Sequence, residues 1–107
     1  GVRGFMIDVH DLEEQGSGNT TTTAHLCHGD CRIGSLPLAA SLAQMNTYLD
    51  AHPTDVVVLL VEQYSTDDSV AAAVNASGLG SKMWRPPSGA ATPATAGSAF
   101  AWPTLNE

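Results

Sequence analysis

The chain has 107 residues, of which 43% are hydrophobic and 14% charged, a composition that fits one ordinary globular unit and excludes a disordered or collagen-like chain. Four Lys and Arg against 11 Asp and Glu leave a formal net charge of -7, which opposes non-specific attraction to nucleic acid or to an anionic membrane. No apolar run approaches the ~20 residues that cross a bilayer, so no transmembrane segment is expected, and any signal peptide is expected upstream of Gly1.

Residues 2–10, Val-Arg-Gly-Phe-Met-Ile-Asp-Val-His, are mostly apolar and β-favouring, and they read as a mostly buried strand. Because the chain opens directly on such a strand, it is expected to be a piece of a longer protein. Residues 11–23, with Glu13, Glu14, Gly16, Gly18 and four threonines, read as a loop. A second short strand is predicted over 24–28. Ser35 is a candidate helix cap with Pro37 in the first turn, and Leu38, Leu42, Met45 and Leu49 recur on one helical face until His52-Pro53. Residues 56–61, six consecutive apolar residues, read as a parallel strand covered on both faces and ending at Glu62.

Thr66 or Asp67 then caps an alanine-rich helix to about Ala76, closed by Ser77-Gly78. Residues 86–99, rich in Pro, Gly, Ala, Ser and Thr, read as a surface loop, and Trp102-Pro103-Thr104 as the start of another helix. About three strands and two helices in alternation point to an α/β fold with a parallel sheet. Three strands cannot close an eight-stranded barrel, so a partial sheet with exposed edges is expected.

Cys27 and Cys31 lie four apart. They fit a small-loop disulfide, which suits an extracellular, secreted protein. They also fit a metal site with His25 and His28, although strand alternation would point Cys27 and His28 to opposite faces. Asn19-Thr20-Thr21 and Asn75-Ala76-Ser77 are glycosylation acceptors compatible with secretion.

Asp8, His28 and Glu62 each fall at the C-terminal end of a predicted strand, where parallel-strand enzymes assemble their sites. Asp8 would share a face with Met6 and His10, and Glu62 with Val58 and Leu60. Two carboxylates and an imidazole suit a divalent cation beside a proton-transfer group. His25 and His52 are expected in solvent. His10 and Asp11 extend the first strand toward the same rim, Asp11 reading equally well as part of a charged loop. Arg85 and Lys82, near a glycine-rich turn, are candidate phosphate contacts or solvated surface.

These residues resemble a family. Gly1 to Asp11, Leu26-Cys27-His28-Gly29, Asp55 to Tyr64 and Trp102-Pro103-Thr104-Leu105 are similar, in order, to the catalytic X domain of phosphatidylinositol-specific phospholipase C-like proteins. The resemblance implies a fragment, residues 1–107, of a single PLC-like phosphodiesterase domain with a distorted (β/α)8 TIM barrel. It implies attack of an inositol 2-hydroxyl on the adjacent phosphodiester of a phospholipid at a membrane surface, releasing diacylglycerol. His28 matches the second of two family histidines, the one that hydrogen-bonds the phosphoryl group. The first belongs to a strand before Gly1, so these residues alone are expected to be inactive.

Calcium-dependent members carry carboxylates at the positions of Asp8 and Glu62, whereas metal-independent members carry basic side chains, so the resemblance implies Ca2+ held by these two residues. Met6 stands where eukaryotic signalling members have a further acidic ligand. Glycerophosphodiester phosphodiesterases share the outline, an acidic-x-Asp strand followed by a His, but Met6 removes the first acid of that pattern. A catalytically silent secreted binding module on the same barrel is the other alternative.

Overall fold

The computed structural model describes residues 1–15 and 18–85. The predicted loop over 86–99 and the helix start at Trp102 lie outside them. In chain order the elements are β1 (Val2–Gln15), β2 (Thr20–Leu26), β3 (Leu36–Pro37), α1 (Leu38–Ala51), β4 (Val56–Tyr64), α2 (Asp67–Ser77) and a 3-10 turn, Leu79–Ser81. The four strands form one open sheet in the order β3-β2-β1-β4.

β1 pairs with β4 in parallel, in a register that runs from Val2 opposite Val56 to His10 opposite Tyr64. The rest of the sheet departs from the all-parallel expectation. β2 is antiparallel to β1, and β3 antiparallel to β2. The physical reason is connection length: a few residues close a hairpin, whereas a parallel return needs a crossover of a dozen or more.

The predicted loop over 11–23 is largely strand. β1 continues through Gln15, and Thr20 to Thr23 pair with residues 12–15. The threonines are β-branched and suit a pleated surface, so they extend the strand rather than the loop. Gly18, at a positive φ of 94°, lies in the connection, where a side chain would strain the backbone. β2 consequently covers Thr20–Leu26, and Cys27 and His28 fall just after it.

α1 is capped two residues later than the proposed Ser35. Leu36 and Pro37 are still extended and pair with Leu26 and His25, so the helix opens with Pro37 as its cap and no side-chain cap bond. The predicted apolar face is correct: Leu38 and Leu42 are buried, and Met45 and Leu49 pack beside them. α2 starts at Asp67 with the Thr66 side chain accepting from the Ser69 N–H, and ends on Gly78 at φ 74°.

Both helices cover one sheet face. Val9, Ala24, Leu38, Leu42, Ala73 and Leu79 form the core, with Ile7, Leu26 and Leu59 packed against it. The odd-numbered β1 residues therefore face the helices, and the even-numbered ones, Met6, Asp8 and His10, face away. β4 obeys the same alternation, and Val58, Leu60, Glu62 and Tyr64 are exposed. The expectation that β4 is covered on both faces is thus corrected: Met6 is 70% and Leu60 64% exposed. β4 also runs on past Glu62 to Tyr64, because Glu62, Gln63 and Tyr64 continue the ladder with Asp8, Val9 and His10.

Candidate functional site

The uncovered sheet face carries the polar cluster. Asp8 and Glu62 are direct partners in the parallel β1–β4 ladder, and alternation places both side chains on the face opposite the helices. His28 follows β2, one residue beyond Cys27, whose N–H donates to the Asp8 carbonyl at 3.3 Å. That bond brings the end of β2 beside the middle of β1. It leaves His28 Nε2 3.7 Å from Asp8 Oδ2, a contact too long for a hydrogen bond.

The two partners differ in exposure. The Asp8 side chain is 15% exposed and the His28 imidazole 92%. Asp8 is therefore sheltered in the sheet, while the His28 imidazole projects into solvent. A depression of about 260 Å³ lies between them, lined by Met6, Ile7, Asp8, Leu26, Cys27 and His28.

Glu62 has a partner that the sequence reading did not single out. The Tyr64 hydroxyl donates to Glu62 Oε2 at 3.0 Å, and the Tyr64 ring stacks on His10 with centroids 4.7 Å apart. Accepting that hydrogen bond, Glu62 raises the phenol above its usual pKa; the negative charges of Glu62 and Asp8 and some desolvation push the same way. Tyr64 thus stays a protonated donor at neutral pH. The available signal was the i, i+2 spacing of Glu62 and Tyr64, which shares a face only if the strand reaches residue 64.

Other candidates separate from this cluster. Asp11 sits on the helix-covered side, where it accepts from the Thr66 N–H at 2.9 Å and from the Ser69 hydroxyl at 2.5 Å. Those bonds, the Ser69 bond foremost, lower its pKa, and its role is to fasten the start of α2 to β1. His25 is buried rather than in solvent, with only 6% of its surface exposed; Nε2 contacts Glu14 Oε1 and Thr23 Oγ1, each at 3.0 Å. His52 is exposed as expected, stacked on Tyr48.

Arg85 is exposed beyond the 3-10 turn, and among the described residues no contact joins it to Asp8, His28 or Glu62. Lys82 is paired with Asp50 at 2.8 Å, away from the cluster. Cys27 and Cys31 form a disulfide. Asn19 is exposed near the β1–β2 connection. Asn75 is exposed on α2, but the Ser77 hydroxyl of its acceptor triplet donates to the Val74 carbonyl and accepts from the Leu79 N–H.

A mixed α/β sheet that gathers two register-matched carboxylates, an imidazole and a phenol on one open face is the architecture this chain presents. The family model for the PI-PLC X domain (PI-PLC X 1) matches residues 5–107, and the chain belongs to that family. No curated protein matches it, and neither does any solved structure.

Proposed function

We propose that the chain is part of the catalytic domain of a secreted phosphodiesterase that cleaves inositol phospholipids, with the inositol 2-hydroxyl attacking the adjacent phosphorus. The observation that carries this reading is the register that sets Asp8 beside Glu62, with His28 3.7 Å from Asp8. Membership of the PI-PLC X domain family supports that reaction class.

The donor set fits Ca2+ in kind, since Asp8 and Glu62 offer only oxygen ligands on one face, and a hard cation selects oxygen. Two carboxylates fall short of the ~6–8 oxygens that Ca2+ takes, so Asp8 and Glu62 would hold it only together with oxygens from outside the protein. Held by Asp8 and Glu62, such a cation would supply neutralisation of phosphate charge and a lowered pKa for the attacking hydroxyl. A cation also answers the net charge of -7, which otherwise repels an anionic headgroup.

The protein's own groups divide the remaining work. His28, projecting from the sheet, hydrogen-bonds a phosphoryl oxygen and stabilises its growing charge, with the Asp8 carboxylate 3.7 Å from its Nε2. Tyr64 occupies Oε2 of Glu62 and orients the carboxylate. The depression between Asp8 and His28 receives the headgroup side of the lipid.

The uncovered apolar strip of Met6, Val58 and Leu60 supports a barrel completed by further strands of one X-type domain spanning residues 1–107 and beyond. The first of the two family histidines would come from those strands, and residues 1–107 alone would be inactive. The Cys27–Cys31 disulfide supports an oxidising, extracellular compartment. The test is release of diacylglycerol from phosphatidylinositol vesicles by the longest natural chain containing these residues. Activity that EDTA abolishes and Ca2+ restores supports the reading; full activity in EDTA removes the calcium assignment.

A further inference from the structure

From the sequence, the alternative to a Cys27–Cys31 disulfide is a metal site completed by His25 and His28. The fold brings a different histidine. His10 lies on the open face of β1, and one of its ring nitrogens and the two Sγ atoms of Cys27 and Cys31 all lie within 4.8 Å of one another. Cys27 is buried, and Cys31 and His10 are half-buried, so the three donors form a sheltered corner rather than a scattered surface set.

We propose that this corner is a redox-gated site for a zinc-class cation, formed by His10 with the reduced thiolates of Cys27 and Cys31. The chemistry of the donor set selects the ion. Two thiolates and one imidazole suit Zn2+ and other borderline or soft cations, whereas the carboxylates of Asp8 and Glu62 suit a hard one. The chain thus holds two cation sites of opposite preference on one sheet face.

The gate follows from electron bookkeeping. In the disulfide both sulfurs are bonded to each other and neither offers a thiolate. Two equivalents of a thiol reductant deliver two electrons and two protons, break the Sγ–Sγ bond and are themselves oxidised to one disulfide. The cation then displaces the two thiol protons to solvent, and water fills its fourth position. Reoxidation by a disulfide of the same class expels the ion. Metal binding and the disulfide therefore exclude each other.

His25 and His28 are not ligands in this assignment. His28 is exposed and turned toward Asp8, and His25 commits Nε2 to Glu14 and Thr23. The site also touches the phosphodiesterase cluster without being part of it, since His10 stacks on Tyr64 and Cys27 precedes His28.

The experiment uses Co2+ as a spectroscopic probe for Zn2+. The protein is reduced with a thiol, desalted without oxygen and titrated with Co2+; an untreated sample is titrated in parallel. The reduced protein is expected to bind one equivalent, with a thiolate-to-cobalt charge-transfer band and tetrahedral visible bands that Zn2+ bleaches. The oxidised protein shows none. His10→Ala weakens binding by at least about ten-fold, and His28→Ala leaves it unchanged. Circular dichroism confirms that both variants keep the wild-type fold, and His10→Gln replaces His10→Ala if the latter does not. No thiolate band in the reduced protein, equal binding in the oxidised one, or an affinity set by His28 rather than His10 overturns the assignment.

Discussion

Asp8 and Glu62 face each other across the parallel β1–β4 ladder, each the register partner of the other. Neighbouring strands lie about 4.8 Å apart, so matched positions on one face let two carboxylates share one cation as oxygen ligands. Asp8→Asn and Glu62→Gln are each expected to raise the Ca2+ concentration needed for half-maximal turnover. Both are expected to lower turnover by roughly 10²-fold or more at fixed Ca2+. A Ca2+ titration of activity checks this; unchanged Ca2+ demand in both variants contradicts it.

Tyr64 acts on Glu62 through one hydrogen bond of 3.0 Å. Tyr64→Phe keeps the ring stacked on His10 but frees Glu62 Oε2, and is expected to weaken Ca2+ affinity by about 10–100-fold while sparing turnover at saturating Ca2+. The raised pKa predicts that the Tyr64 phenol ionises above pH 10, its ordinary value. Ultraviolet difference spectra of a Tyr48→Phe variant isolate that titration, and ionisation at or below 10 removes the Glu62 contact.

Asp11 ties α2 to β1 through Ser69 and Thr66. Its folded pKa is lowered from 3.8, so the contribution is fully present above about 3.8 and is lost as pH falls through the lower folded value. Asp11→Asn is expected to flatten the acid limb of the stability curve below about pH 4 and to leave its shape above that unchanged. Denaturant midpoints measured across pH 2–6 would reveal it. An acid limb as steep as that of the wild type would contradict the linkage.

Burial predicts a sharp contrast between two leucines. Leu38 is 2% exposed in the core, whereas Leu60 stands on the bare sheet face. In the 107-residue chain, Leu38→Ala is expected to cost about 2–5 kcal/mol and Leu60→Ala within about 0.5 kcal/mol. Denaturant unfolding measures both, and a loss at Leu60 equal to that at Leu38 would mean that the face is covered.

Much of the scaffold was legible because local pattern and tertiary packing agree in it. Leu38, Leu42, Met45 and Leu49 announce the buried helical stripe, and Thr66 and Gly78 mark both ends of α2. Alternation alone groups Asp8 with Met6 and His10, and Glu62 with Val58 and Leu60, but does not tell which face the helices leave open. Where the reading failed, a long-range pairing overrode the local signal. Thr20 to Thr23 resemble a loop until their hydrogen bonds to residues 12–15 are known, and Ser35 resembles a cap until Leu36 is seen to pair with Leu26. His25 is polar, so composition puts it in solvent, yet its bonds to Glu14 and Thr23 depend on the same hairpin. The approach of His10 to Cys27 and Cys31 also depends on tertiary structure, because the sequence places them 17 and 21 residues apart.

In the proposed reaction His28 stabilises a phosphoryl group whose charge a cation beside Asp8 and Glu62 would also neutralise. The most direct test is the turnover of inositol phospholipid vesicles by the longest natural chain and by its His28→Ala variant, at saturating Ca2+. A fall in turnover of about 10²–10³-fold or more, with the disulfide and the circular dichroism spectrum unchanged, is the predicted result. Equal turnover in the two proteins would contradict it.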